Sequence, residues 1–315
     1  MAFWRALATE TTGIKTILVV FFSMRFGKFG SFRTTAPAVF LFVVLGLGCG
    51  RPAVPVPNAA APAKESPSAD VGLSNSVHAA FGNPSNATAD PANGDNFLIV
   101  GDGSVISYNS SRGTANWISW RTVRSDLSTR LIRPEFTNDP RLPAGSRKIG
   151  YYDYSGSGYD RGHLVPSADR FADPRLNEET FMMTNIVPQK SALNQYPWQQ
   201  LESHARALAR RGNDVYQIAG CYGERERLKG KVTVPTNCWK VVVAVPRGKK
   251  IADLDPRMNV IAVDMPNIDG IENERWERFR VTPREIEQRT GFDLFDQLPQ
   301  STQDRLETSI LMKSP

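Results

Sequence analysis

Two short stretches hold most of the residues in this chain that could do chemistry. The first is YDRGHLVPSADR, Tyr159 to Arg170, which contains one of only three histidines, His163, two residues after Arg161. An imidazole with its ordinary pKa near 6.5 can serve as a general base at neutral pH. On an extended segment Arg161 and His163 would share a face, because alternate side chains of a strand point the same way. A guanidinium beside a histidine repels a metal ion, yet it grips phosphate oxygens two at a time. The chemistry implied is attack at a phosphate. The competing reading is a loop histidine beside a surface arginine, and D-R-G-H alone leaves both open.

The second stretch is MTNIVPQKSALNQYPWQQLE, Met183 to Glu202. Amides cluster in it (Asn185, Gln189, Asn194, Gln195), and Glu202 follows Asn194 by eight residues, about two helical turns. An asparagine oxygen is a hard, neutral ligand that suits Mg²⁺, a cation that keeps most of its waters and takes few protein ligands. The alternative for Asn194 is a cap on the helix that starts near Pro197. For Asn185 the structural role, ending the preceding helix, is preferred. The chain has no His/Cys zinc set, and Asp160 and Asp169 are the acids nearest His163.

These residues need elements to hold them. FLIV and SVISYNS read as strands around a Gly-Asp-Gly turn, and NWISWRTV alternates well enough for another. DVYQIAGC, CWKVVVAVP and NVIAVDMP are short runs rich in β-branched residues, expected as buried strands. NEETFMMTN and YPWQQLESHARALARRG read as helices; the second places Trp198, Leu201, Ala205 and Leu208 at helical spacing, with Gly212 as its stop. TPREIEQRTG carries a capping box from Thr282 to Glu285, Pro283 at the first helical position and Gly291 as its end. Strands and helices do not alternate regularly. The expected fold is α+β, a mixed and largely antiparallel central sheet with helices on its faces. Cys221 and Cys238 lie at the edges of predicted strands and are available for one disulfide, or stand as two buried thiols.

Before residue 96 the composition changes. Residues 1–49 read as an export leader: Arg25, Lys28 and Arg33 precede an apolar run from Ala36 to Leu47. Gly48-Cys49 resembles a lipobox, with Gly46 where leucine is preferred, so a lipid anchor on Cys49 is expected. Residues 50–95 are rich in Pro, Ala, Asn and Ser and read as a disordered tether, leaving 96–315 as the folded domain. The formal net charge of +6 is mostly a leader effect, since five basic groups and one acidic group fall within 1–49. Residues 121–170 are modestly basic, with nine Lys/Arg against six Asp/Glu.

Taken together, YDRGHLVPSADR, MTNIVPQKSALNQ and the W..LE of Trp198 to Glu202 resemble the DNA/RNA non-specific endonucleases, the ββα-metal or His-Me finger class that includes endonuclease G. The resemblance covers about residues 96–310. It implies a ββα-metal motif in which His163 activates water and Asn194 is the sole direct protein ligand of Mg²⁺, with Mn²⁺ as a substitute. It also implies that Glu202 hydrogen-bonds the metal's waters and that Arg161 contacts the scissile phosphate, with Arg206 assisting. A further arginine is expected upstream, for which Arg133 is preferred over Arg130. The partners implied are DNA and RNA, a membrane met only through the leader or its lipid, and room for a protein inhibitor. A non-catalytic nucleic-acid-binding module and an envelope-tethered interaction protein are the alternatives, and an intact His163–Asn194 pair argues against the first.

Overall fold

The computed structural model describes residues 69–310. Its frame is a seven-stranded antiparallel sheet. The strands are β1 (Phe97–Val100), β2 (Val105–Asn109), β3 (Thr114–Thr122), β6 (Asp214–Tyr222), β9 (Asn237–Val245), β10 (Val260–Pro266) and β11 (Arg280–Val281), adjacent in that order. Two hairpins stand apart from it, β4 (Asp160–His163) with β5 (Ile186–Gln189) and β7 (Glu226–Leu228) with β8 (Val232–Val234). The expected strands are all present, and the sheet is antiparallel throughout. No helix among the described residues is long and apolar enough to cross a membrane.

Both faces of the sheet are covered, which explains the near-continuous apolar runs of its central strands. Along β9 the two-residue period sends Trp239, Val241 and Val243 into one core and Cys238 and Val242 into the other. The second core also takes Trp120, Leu164 and Trp198, together with Leu201, Ala205 and Ala209 from the helix Gln199–Arg210. Four-residue spacing puts these last three on one stripe of that helix. Cys221 and Cys238 face each other across β6 and β9 and are disulfide-bonded. The Thr282–Glu285 capping box and the left-handed Gly291 are found as expected.

Three expectations need correction. The tether stops well short of residue 95: Leu73, Phe81 and Ala87 are buried against the core on the far face of the sheet. Thr88 pairs with Phe97, and Ser85 Oγ accepts the Trp117 indole N–H at 2.8 Å. A polar stretch without periodicity can still bury a few well-spaced apolar side chains where a sheet face awaits them. Second, NEETFMMTN is not one helix. The helix Pro174–Glu179 ends at Thr180, whose hydroxyl bonds back to Asn177 O; Met182 is extended and bridges to Thr137, and a 3₁₀ turn follows at Met183–Asn185. Third, the competing reading of His163 as a loop histidine falls, because it is the last residue of β4. The leader, Cys49 and the rest of 1–68 lie outside the described residues.

Candidate active site

The β4–β5 hairpin and the helix after it form a ββα unit. Gly156 and Gly158, both at positive φ, turn the chain into β4. Within β4, Gly162 faces Val187 in register, and a Cβ there would meet the Gln189 side chain at 2.0 Å. Glycine at this point leaves room for the buried Gln189 side chain. Arg161 and His163, two residues apart, then project to the same side.

Beyond β5 the chain makes one helical turn and widens into a π turn over Asn194–Trp198, with Pro197 inside it. A proline in a regular helix loses one hydrogen bond and clashes with the carbonyl four residues back, and the wider turn relieves both. Asn194 sits at φ −60°, ψ −45°, so it continues the helical run and does not N-cap the helix that starts near Pro197. Its Nδ2 donates to Asp160 Oδ2 at 2.9 Å, while its Oδ1 accepts nothing from the described residues. Asp160 also accepts from Gln195 Nε2 and Ser191 Oγ, each at 2.9 Å. Burial alone would raise its pKa, but these three donors and Arg161 hold it below the ordinary carboxylate range. Asp160 therefore fixes which way the Asn194 amide points. Asn185 is structural as expected: it is buried, accepts Val165 N–H and donates to Val165 O and Thr180 O.

A cavity of about 300 Å³ brings the expected residues together: Arg133, Arg161, His163, Asn194, Glu202 and Arg206 all line it. Arg130 lines it too. Phe136 and Phe181 flank the His163 ring at centroid distances of 5.8 and 4.8 Å. Its Nε2 is shielded from solvent and has no hydrogen-bond partner. Burial first, and the Arg133 charge second, push its pKa down to about 3, so the imidazole is neutral at physiological pH with a lone pair to offer. The Arg133 guanidinium lies 5.5 and 5.3 Å from the Phe136 and Phe181 centroids. Arg161 lies 4.0 Å from the Tyr151 ring and 5.4 Å from Phe136. Aromatic faces hold these two cations, and neither forms an ion pair among the described residues. Their N–H donors remain free for an anion. Arg130 has no such support, and Arg133 is the arginine whose charge acts on His163.

Arg206 is less free, since Asp169 Oδ1 takes its NH1 at 3.1 Å. Asp169 is buried and its Oδ2 also accepts from Trp120, Thr122 and Gln217. Glu202 lies 4.0 Å from Arg206 and 3.8 Å from Lys240 Nζ. Lys240 is the buried charge behind this site that sequence reasoning missed. It is fully buried on β9, its Nζ 4.3 and 5.1 Å from the ring centroids of Trp198 and Trp120 and without a hydrogen-bond partner. Its signal was one charge inside the apolar run CWKVVVAV, on the face that period two directs toward the site helix. Burial pushes Lys240 down and Glu202 up, and their mutual attraction opposes both shifts.

This geometry has relatives. The profile of the family described as DNA/RNA non-specific endonuclease matches residues 82–301. A nuclease of Nostoc sp. is 39% identical over 246 residues, 78% of this chain and 89% of that protein. The nuclease of Serratia marcescens is 31% identical, over 68% of this chain and 80% of its own length. Human mitochondrial endonuclease G is 34% identical, over 59% and 65%. A solved structure of endonuclease G with its inhibitor EndoGI has the same fold, with a TM-score of 0.56 and 24% identity over 67% of this chain and 89% of that one.

Proposed function

The chain belongs to the DNA/RNA non-specific endonuclease family, and we propose that it hydrolyses phosphodiester bonds of both DNA and RNA with little sequence preference, with Mg²⁺ as its metal. The observation that carries this reading is one cavity lined by a neutral imidazole, an asparagine whose amide nitrogen is held by Asp160 with its oxygen unengaged, and two guanidiniums without carboxylate partners.

His163 takes the proton of the attacking water; burial keeps the imidazole unprotonated near neutrality, while its hold on that proton is weakened by the same shift. Arg161 and Arg133 bind the scissile phosphate and stabilise the extra negative charge of the transition state. The donor set fits a hard cation that keeps most of its waters. Asn194 Oδ1 is neutral and unengaged, Glu202 lies on the same cavity, and the one three-residue acidic group among the described residues, Glu287, Asp293 and Glu307, is not among those lining it. Asn194 would be the direct ligand and Glu202 would accept hydrogen bonds from the bound waters. When bound, the ion supplies charge stabilisation for the phosphate and for the leaving 3′ oxygen. Recognition through phosphates implies strong salt dependence.

The same proposal includes export, with lipidation at Cys49. The Cys221–Cys238 disulfide supports an oxidising compartment. An inhibitor protein that covers this cavity is part of it too, supported by the endonuclease G relative solved with EndoGI. The test is incubation of supercoiled plasmid and of RNA with the protein in Mg²⁺, then with EDTA, beside His163→Ala. Wild type should cut both, EDTA should stop it, and His163→Ala should lose about a hundredfold or more of the rate while still binding at low salt. Intact plasmid and RNA with wild type in both Mg²⁺ and Mn²⁺ would sink the proposal.

A further inference from the structure

Next to the catalytic cavity lies a second hollow of about 720 Å³, lined by Arg133, Pro134, Glu135, Phe136, Tyr151, Tyr152 and Arg161. The two hollows share Arg133 and Arg161, the proposed phosphate binders. The shared arginines put the second hollow within reach of the nucleotide next to a phosphate bound there. Its wall is unusual for a protein surface. Tyr152 is 78% exposed and Tyr151 47% exposed, side by side, with ring centroids 5.5 Å apart and planes at 87°.

These rings are exposed but their backbone is held firmly. They sit on the short helical turn Tyr151–Tyr154, whose last residue is buried and donates its hydroxyl to Ile186 O at 3.3 Å. Asp153 caps the turn through Gly150 N–H and is paired with Lys231 Nζ at 3.0 Å. Lys229 Nζ donates to Tyr152 O. Tyr151 carries the Arg161 guanidinium on one face, while Tyr152 has no ring partner other than Tyr151. A fixed, solvent-facing aromatic beside a phosphate-binding arginine and lysines is the arrangement that stacks unpaired bases. A duplex cannot use it, because its base faces are already stacked within the helix.

Resting on the nuclease reading above, we infer that Tyr152, seated against Tyr151, is a stacking platform for an unpaired base adjacent to the scissile phosphate, which makes single-stranded DNA and RNA the better-held substrates. Tyr152 touches none of the proposed catalytic groups, so its removal leaves the chemistry intact.

The experiment measures binding by fluorescence anisotropy in EDTA. The probes are a single-stranded oligonucleotide, the duplex of the same sequence and an abasic single strand, each with wild type, Tyr152→Ala and Tyr152→Phe. Cleavage of the first two in Mg²⁺ is followed in parallel. Tyr152→Ala should weaken single-strand binding about five- to a hundredfold and raise the KM for that substrate similarly. Duplex and abasic binding should change less than twofold, and Tyr152→Phe should behave as wild type. Equal losses on single strand and duplex, an equal loss on the abasic strand, or no loss on the single strand would each overturn the inference. Failure of wild type to cleave any substrate would instead count against the nuclease reading, and the binding arm would still judge the platform.

Discussion

Replacing Lys240 by methionine removes the cation that sits beneath the active site without touching the cavity lining. Lys240 Nζ lies 3.8 Å from Glu202 Oε1, and the lysine side chain is completely buried. At an effective dielectric of about 20 this pair is worth about 4 kcal/mol of Coulomb attraction. Arg206 remains at 4.0 Å from the other carboxylate oxygen, so Glu202 keeps part of its support. Burial already raises the Glu202 pKa, and the lysine charge works against that rise. Without it the pKa rises further, and Glu202 takes up its proton at a higher pH than in the wild type. A protonated Glu202 loses an acceptor for metal-bound water, so the acid limb of the kcat profile should move to higher pH. We expect a loss of kcat of about ten- to a hundredfold at pH 7, recovered in part as pH rises, with KM nearly unchanged. Leaving Glu202 with Arg206 as its remaining cation should also lower stability, by less than the roughly 3–5 kcal/mol of a fully broken buried pair. The double variant Lys240→Met/Glu202→Gln restores charge balance and should regain most of the melting temperature while staying inactive. The assay is steady-state cleavage of duplex DNA from pH 5 to 9.5 at fixed Mg²⁺, with a thermal melt of each variant. A Lys240→Met enzyme with kcat within twofold of wild type at pH 7 and an unmoved acid limb would refute the reasoning.

Asp160→Ala releases the Asn194 amide and should raise the Mg²⁺ concentration needed for half-maximal activity about ten- to a hundredfold, read from a metal titration of the rate. Arg133→Ala should cost more in kcat/KM than Arg130→Ala, since only Arg133 is held over the rings that flank His163; equal losses would remove that distinction. Cys221→Ala/Cys238→Ala opens a loop with a sequence separation of 17 and should cost about 3 kcal/mol in denaturant melts. His78 donates Nε2–H to Asp102 O at 2.8 Å and accepts Arg121 N–H on Nδ1 at 3.0 Å, which requires a neutral ring. Burial above all lowers its pKa to about 4. Its contribution is complete above the unfolded value near 6.5 and is lost as pH falls toward 4, up to about 3 kcal/mol. His78→Asn should flatten the loss of stability between pH 6.5 and 4, and an unchanged slope would count against it.

What could be read from sequence, and what could not, follows from the range of the interactions involved. The sheet was legible because buried strands must be apolar and β-branched, and the helix Gln199–Arg210 because Trp198, Leu201, Ala205 and Leu208 recur at helical spacing. His163 and Asn194 could be paired only through their joint resemblance to a family, since each alone passes for something ordinary. Their actual link is Asp160, adjacent to Arg161 in the chain yet bonded to Asn194, Gln195 and Ser191 from across the hairpin. No local pattern distinguishes such an aspartate from a turn residue. The choice between Arg130 and Arg133 was likewise tertiary, because it depends on Phe136 and Phe181 meeting from separate segments around the imidazole. Lys240 is the instructive case. Period two along CWKVVVAV placed it on the site-facing side of the sheet, and a charge there needs a partner. That partner, Glu202, was already marked for its place two turns beyond Asn194. The two belonged to one reading: a strand buried on both faces keeps a lysine only where something beneath a site needs its charge.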